Sequence, residues 1–132
     1  MPSKTPEELL RIAADTAKQA YAPYSKFHVG SALETDDGTV FSGCNVENAS
    51  YGLTICGERN AIFSMVAAGR QKIVQIAIVA GGDTPPYPCG ACRQVINEFA
   101  DPECPVYVAP TNRIDAYETM SLGELLPKSF KF

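Results

Sequence analysis

The chain has 132 residues, of which 45% are hydrophobic and 20% are charged, and its formal net charge at pH 7 is −4. This length and composition predict one folded domain spanning residues 1–132. The small negative charge argues against a nucleic acid polymer or an anionic membrane as the main partner, since both require clustered Lys and Arg. No apolar run reaches signal-peptide or membrane-spanning length, so we expect a cytoplasmic protein whose five cysteines are reduced thiols.

The chain begins with a predicted helix and a predicted β-hairpin. Thr5 is a candidate N-cap, and apolar residues at three- and four-residue steps continue the helix over about 6–21. Strands are predicted at 27–34 and 39–47, because the intervening Asp37-Gly38 is a strong hairpin-turn signal. The two strands should therefore pair in antiparallel fashion.

A second helix and a central strand are predicted next. The helix should cover about 55–68 and end at Gly69, with its apolar side chains in one buried stripe. That stripe consists of Ala61, Ile62, Met65 and Val66. Residues 73–80 are almost all apolar and precede two glycines, which is typical of a strand covered on both faces. We expect this strand in the middle of the sheet.

The remaining elements complete an α/β pattern. A proline-rich loop leads into a helix predicted at 90–99, which is followed by a short apolar strand at 105–109 and a helical turn at 122–126. Strand, helix and strand in this order predict a parallel crossover. Without repeats or linkers, the sequence predicts a three-layer α/β/α fold around a mixed sheet of about five strands.

Three cysteines have the spacing of metal ligands. Cys89 and Cys92 are three residues apart at the start of a predicted helix, so both thiols face the same way, and Cys56 lies at the start of another helix. A helix N-terminus favours the thiolate form that binds metal. Three thiolates can hold Zn²⁺ and leave its fourth position open, as in a catalytic site. Glu58, two residues after Cys56, is suited to take a proton from an activated water.

Plainer interpretations of these residues stay open. Either Cys44 or Cys104 would close a four-ligand structural zinc site. Considered without the neighbouring cysteine, Glu58 would be interpreted as a favourable charge at the positive end of a helix. Arg59 would offset the charge of three thiolates by hydrogen-bonding the sulfurs, and it is equally consistent with a surface cation.

Longer motifs resemble a known family. Residues 24–27 read Tyr-Ser-Lys-Phe, 43–52 read Gly-Cys-Asn-Val-Glu-Asn-Ala-Ser-Tyr-Gly, 56–59 read Cys-Gly-Glu-Arg, and 88–94 read Pro-Cys-Gly-Ala-Cys-Arg-Gln. With Leu-Leu-Pro at 125–127, these motifs make most of the chain similar to the small, homotetrameric cytidine deaminases. The resemblance implies hydrolytic deamination of cytidine and 2′-deoxycytidine to uridine and 2′-deoxyuridine, with release of ammonia and one Zn²⁺ per subunit.

The resemblance also implies roles for individual residues. The three cysteines would bind zinc, and Glu58 would carry protons between the water, the ring N3 and the leaving amine. Phe27 would pack on the pyrimidine, although without the resemblance it reads as a core aromatic. Asn45 and Glu47 would hydrogen-bond the ribose 3′-hydroxyl, and strand alternation agrees by placing both on one face. The backbone N–H of Gly57, where the family more often has alanine, would bond the 2-keto oxygen.

Other residues are matched to a neighbouring subunit's site in the implied homotetramer. Ala49 and Tyr51 precede the zinc helix, and Phe130 lies in the tail, where Phe132 is an alternative. The 81–87 loop also departs from the family's pattern, and its alignment with the corresponding loop of the family stays open.

Three rival functions also stay open. The first is deamination of another cytosine-containing small molecule, such as a nucleoside antibiotic. The second is a polynucleotide deaminase, which usually has histidine at the position of Cys56 and needs a basic groove. The third is a zinc-stapled interaction module without catalysis.

Overall fold

A five-stranded mixed sheet forms the centre of the protein in a computed structural model that describes residues 3–132. The strands are β1 (Val29–Thr35), β2 (Val40–Cys44), β3 (Ile73–Ala80), β4 (Pro105–Pro110) and β5 (Glu118–Ser121). The helices are α1 (Pro6–Ala17), α2 (Gly57–Ala67), α3 (Gly90–Phe99) and the short α4 (Leu122–Leu125). Single 3-10 turns lie at Tyr51–Leu53 and Ile114–Ala116.

The strand order is β2-β1-β3-β4-β5. Pairing is antiparallel except between β3 and β4, which run parallel, with α3 in the connection between them. Both the central position of β3 and the parallel crossover are therefore confirmed. A parallel pair places the carboxyl end of β3 at the same edge as that of β4, and the chain leaves this edge to enter α3.

Alternate residues of β3 face two separate hydrophobic cores. Ile76 and Ile78 belong to the core that contains the buried side chains of α2, α3 and α4. Ala77 and Val79 belong to the core formed with α1. Because helices cover both faces of the sheet, the predicted three-layer α/β/α architecture is confirmed.

Two elements end earlier in the structure than the sequence predicts. The helix predicted to residue 21 ends at Ala17, since Tyr21 instead donates its N–H to the Asn45 carbonyl (3.0 Å) and pairs with Val46. The strand predicted at 39–47 ends at Cys44, and only an isolated bridge continues it. At the end of α1 and at the end of β2, hydrogen bonds to distant segments thus replace regular secondary structure.

One further prediction is wrong in detail, and one strand was not predicted. Val66, predicted to be buried in α2, is 42% exposed, and the buried residues of that helix include Gly57 and Glu58 in its first turn. The buried face of α2 therefore starts earlier than the apolar pattern suggested. Strand β5 was not predicted because its four residues, Glu-Thr-Met-Ser, carry no apolar run, and it pairs only with β4 at the edge of the sheet.

Close backbone contact fixes where α2 begins relative to β2. A Cβ atom added at Gly43 would lie 2.4 Å from the Ala61 nitrogen and 2.7 Å from the Gly57 carbonyl oxygen, so only glycine permits this approach. One at Gly57 would lie 3.3 Å from the Gly43 carbonyl oxygen. The N-terminus of α2 is thereby held directly against the end of β2. Within residues 3–132, no helix has the length and apolar character needed to cross a membrane.

Candidate metal centre and substrate pocket

The N-termini of α2 and α3 bring three cysteines together. Cys56 is the N-cap of α2, Cys89 is the N-cap of α3, and Cys92 lies in the first turn of α3. Neither N-cap side chain accepts a capping hydrogen bond, so both sulfurs are available for other partners. The three sulfur atoms lie within 4.8 Å of one another.

This sulfur cluster fits a zinc ion. In tetrahedral coordination with Zn–S distances of about 2.3 Å, ligand sulfurs are about 3.8 Å apart, which a cluster of this size accommodates. Zn²⁺ prefers thiolate ligands in this geometry, and three of them leave one position open. Cys44 and Cys104 are not part of the cluster, so within residues 3–132 the structure does not support the closed four-cysteine alternative.

Arg59 supplies positive charge beside the sulfurs. Its Nη2 donates to the Cys56 sulfur at 3.4 Å. A hydrogen bond from Cys92 and the Arg59 guanidinium together lower the pKa of Cys56, whereas the same thiol pairing raises the pKa of Cys92. The Nε atom of Arg59 is buried and has no hydrogen-bond partner within residues 3–132. This placement agrees with the predicted role of Arg59 in hydrogen-bonding sulfur and not with that of a free surface cation.

Glu58 is a buried carboxyl group in the first turn of α2. It is only 4% exposed, and burial together with the nearby Cys56 raises its pKa to about 7. A carboxyl group that gains and loses a proton near neutral pH is suited to general acid–base work. A surface charge placed only to complement the helix dipole would be exposed, so the burial of Glu58 argues against that plainer interpretation.

A cavity of about 610 Å³ opens in front of the cysteines and Glu58. Its lining includes Phe27, Asn45 and Glu47 as well as Cys56, Cys89 and Glu58. Phe27 is 46% exposed and faces this space, which distinguishes it from a core aromatic. A volume of this order is typical of small-molecule sites.

Asn45 holds the segment that carries Phe27. Its Nδ2 donates to the Phe27 carbonyl at 2.8 Å, and its Oδ1 accepts the Val29 N–H at 2.9 Å. The side chain is 93% buried by this arrangement. The amide therefore sets the position of the aromatic residue while lining the cavity itself.

Glu47 accepts hydrogen bonds from the turn just before Phe27. Its Oε1 accepts the N–H groups of Tyr24 (3.0 Å) and Ser25 (3.1 Å), and its Oε2 accepts the Ser25 hydroxyl. The hydrogen bond from Ser25 lowers the pKa of Glu47, so the carboxylate form is favoured. The Ser25 hydroxyl also accepts the N–H of Phe27 at 3.0 Å. Ser25 therefore connects Glu47 with Phe27.

Not every predicted site residue lies at this cavity. Tyr51, 76% exposed, lines an adjoining cavity with Tyr24 and Glu47, whereas Ala49 is exposed and lines neither. Phe130 is 68% exposed, and its carbonyl is tied to α3 by Gln94. The structure thus leaves Ala49 and Phe130 away from the cavity of their own chain.

The cavity also contains residues that the sequence patterns did not single out. Ser25 lies within a motif that carried the family resemblance, but the motif gave it no role. Thr54 and the continuous 81–87 stretch line the cavity as well. The run of glycine and proline in 81–87 signalled a loop, and its position after β3 was the available indication that it borders the site.

Three thiols that can hold Zn²⁺, beside a buried carboxyl group at a small-molecule cavity, are the arrangement of a zinc-dependent hydrolase. Residues 3–108 match the family described as the cytidine and deoxycytidylate deaminase zinc-binding region. This match covers most of the chain, so the chain belongs to that deaminase family. It includes every cysteine of the cluster and Glu58.

Individual relatives agree with this assignment. A cytidine deaminase of Sporosarcina psychrophila is 45% identical over 124 residues, which are 94% of this chain and 90% of the relative. The structure of a cytidine deaminase from Burkholderia pseudomallei matches with a TM-score of 0.91 at 46% identity, covering 96% of this chain and 100% of that chain. For one from Mycobacterium tuberculosis the TM-score is 0.79 at 39% identity, with 94% and 95% covered.

Proposed function

We propose that this protein hydrolyses cytidine and 2′-deoxycytidine to uridine and 2′-deoxyuridine with release of ammonia, as a step of pyrimidine salvage. The observation that carries the proposal is the three-sulfur cluster beside the buried Glu58, both open to a cavity that an aromatic ring and two polar side chains also line. Cys56, Cys89 and Cys92 would hold one Zn²⁺ per subunit. The zinc, when bound, supplies the Lewis acidity that makes a water molecule nucleophilic at neutral pH.

Glu58 is proposed as the group that moves protons. Hydrolysis adds the oxygen of water to C4 of the pyrimidine and breaks the bond from C4 to the exocyclic amine. Glu58 accepts a proton from the water and gives it to ring N3. It then takes the second proton from the new hydroxyl group on C4, which becomes the carbonyl of uridine, and gives it to the amine, which leaves as ammonia. Each transfer needs a carboxyl group that is stable with and without its proton, which the buried environment of Glu58 provides.

Phe27, Asn45 and Glu47 are proposed to orient the nucleoside, with the ring of Phe27 against the base. A carboxylate has about four acceptor sites, and three on Glu47 are used within the chain. The remaining site on Oε2 can accept the ribose 3′-hydroxyl without breaking an existing bond. The N–H of Gly57, at the start of α2, is free of an intrahelical partner and would bond the 2-keto oxygen.

The test is an ultraviolet assay of cytidine conversion by zinc-loaded protein, with and without a chelator, alongside the Glu58→Gln variant. We expect turnover that the chelator removes, and a variant that retains zinc but loses turnover by a factor of about 10² or more. Undiminished turnover in Glu58→Gln would contradict the proposed proton carrier. Bound zinc without any conversion of cytidine would favour the interaction module, and faster conversion of a cytosine-containing antibiotic would favour that substrate.

Two further proposals concern the whole protein. A homotetramer in which Ala49, Tyr51 and Phe130 complete a neighbour's site is supported by their exposure and by two other exposed apolar side chains, Leu53 and Phe63. Measurement of the native mass tests it. A cytoplasmic location, and a single domain over residues 1–132, are also proposed; the first is supported by the reduced thiols that zinc binding requires.

A further inference from the structure

The loop between β3 and α3 forms a long part of the cavity wall. All seven residues of 81–87 line the cavity in front of the cysteines. Within residues 3–132, the structure gives 82–86 no hydrogen bond to any other element; Gly81 donates to the His28 carbonyl at 3.3 Å, and Tyr87 N–H bonds back to Pro85. The position of this wall therefore depends on how its two ends are held.

The carboxyl end of the loop is held by two different tethers. The Tyr87 hydroxyl donates to Oε1 of Glu118, on the edge strand β5, at 2.7 Å. One residue later, the Pro88 carbonyl accepts the Arg93 Nε at 2.8 Å, and Nη1 of the same arginine donates to the Leu125 carbonyl at 2.8 Å. The first tether acts on the loop, and the second acts on the start of α3.

We propose that Tyr87 and Glu118 are positioning residues that hold the 81–87 loop in the place where it forms a wall for the bound nucleoside. This proposal rests on the proposed function. Phenol to carboxylate is a charge-assisted hydrogen bond, and no other side-chain hydrogen bond within residues 3–132 links the loop to the sheet. At the opposite end the loop is held by the hydrogen bond from Gly81 to the His28 carbonyl, and Gly82 has a φ of 97°, a conformation that glycine adopts readily.

Loss of this hydrogen bond should affect substrate binding more than the chemical step. The Arg93 tether remains when the Tyr87 hydroxyl is removed, so the start of α3 and Cys89 keep their positions. A wall contacts the nucleoside equally in the ground state and the transition state. Interactions of that kind change KM and leave kcat unchanged.

The experiment compares steady-state kinetics on cytidine for zinc-loaded wild type, Tyr87→Phe, Glu118→Ala, the double variant and Glu118→Gln. We expect KM to rise about three- to tenfold in each of the first two variants, with kcat and zinc content unchanged. The double variant should match either single variant, because both remove the same bond. Glu118→Gln should restore KM close to the wild-type value, since its side-chain oxygen still accepts.

Tyr117→Phe is the matched control, because the structure gives the Tyr117 hydroxyl no hydrogen bond within residues 3–132, although its ring packs on Tyr107. Its KM should equal that of wild type. Amide hydrogen exchange at position 87, where the N–H donates to the Pro85 carbonyl at 3.1 Å, provides a second readout that does not depend on activity, and exchange should be faster in Tyr87→Phe than in the control.

Unchanged KM and unchanged exchange in Tyr87→Phe would overturn the proposal. So would additive effects in the double variant, or a fall in kcat with KM unchanged, which would indicate a role in the chemical step. Failure of the wild type to convert cytidine would refute the proposed function instead, while the exchange measurement would still report whether the tether orders the loop.

Discussion

Glu34 provides a quantitative test of how the fold is stabilised away from the cavity. This β1 carboxylate is fully buried and faces four donors: Oε1 accepts from Lys4 N–H (3.0 Å) and Gln75 Nε2 (2.8 Å), and Oε2 accepts from the N–H (2.8 Å) and hydroxyl of Ser3. Burial alone would raise its pKa, but these hydrogen bonds lower the pKa from 4.5 to about 2. The segment before α1 is thereby fixed to the sheet.

The lowered pKa sets both the size and the sign of the effect. A pKa of about 2 in the folded chain, against 4.5 in the unfolded chain, corresponds to at most about 3 kcal/mol of stability when Glu34 is ionised. Because the folded pKa is the lower one, this stability is fully present above the unfolded pKa of 4.5 and is lost as pH falls towards 2. In Glu34→Gln an amide NH₂ would face existing donors, so we expect a loss of about 2–3 kcal/mol at pH 7.

Urea unfolding of zinc-loaded protein between pH 7 and pH 3 measures this effect. Glu34→Gln should be less stable than wild type at pH 7. The difference should shrink as pH falls below 4.5, because Glu34 of the unfolded wild-type chain then binds a proton while Glu34 of the folded chain is still ionised. Glu103→Gln, at an exposed carboxylate, should follow wild type throughout. Zinc loss at low pH affects all three proteins, so it cancels in the comparison. A deficit in Glu34→Gln that stays constant with pH, or is absent at pH 7, would refute the reasoning.

The sequence predicted best those elements whose signals are local. The α3 helix and strand β3 have the predicted bounds, 90–99 and 73–80, because a long apolar run and a proline-rich entry define them without help from distant residues. The metal cluster was also predictable. Its ligands lie at the starts of two helices, and the structure brings Cys56 to the other two cysteines.

Features that depend on distant partners were not predictable in the same way. Glu47 bonds Tyr24 and Ser25, more than 20 residues earlier in the chain, and alternation could give only the face on which Glu47 lies. Strand β5 has no apolar pattern, and only its pairing with β4 reveals it. The hydroxyl of Tyr87 in the 81–87 loop likewise donates to Glu118, which no spacing rule connects with Tyr87.

Two further substitutions test how the site is positioned. Gly43→Ala would place a Cβ 2.4 Å from the Ala61 nitrogen, so we expect a loss of about 1–3 kcal/mol in thermal or urea unfolding and weaker zinc binding by competition with a chelator. Gly52→Ala, where an added Cβ meets nothing within 4 Å, should leave zinc affinity unchanged, and equal effects of the two variants would contradict close contact as the cause. Ser25→Ala removes the hydroxyl that donates to Glu47 and accepts the N–H of the cavity's aromatic residue. Because this hydroxyl orients groups that are proposed to bind the nucleoside before and during the reaction, KM for cytidine should rise about three- to tenfold with little change in kcat. A fall in kcat alone would instead mean that Ser25 acts on the chemical step, since the positions of base and ribose would then be preserved without it.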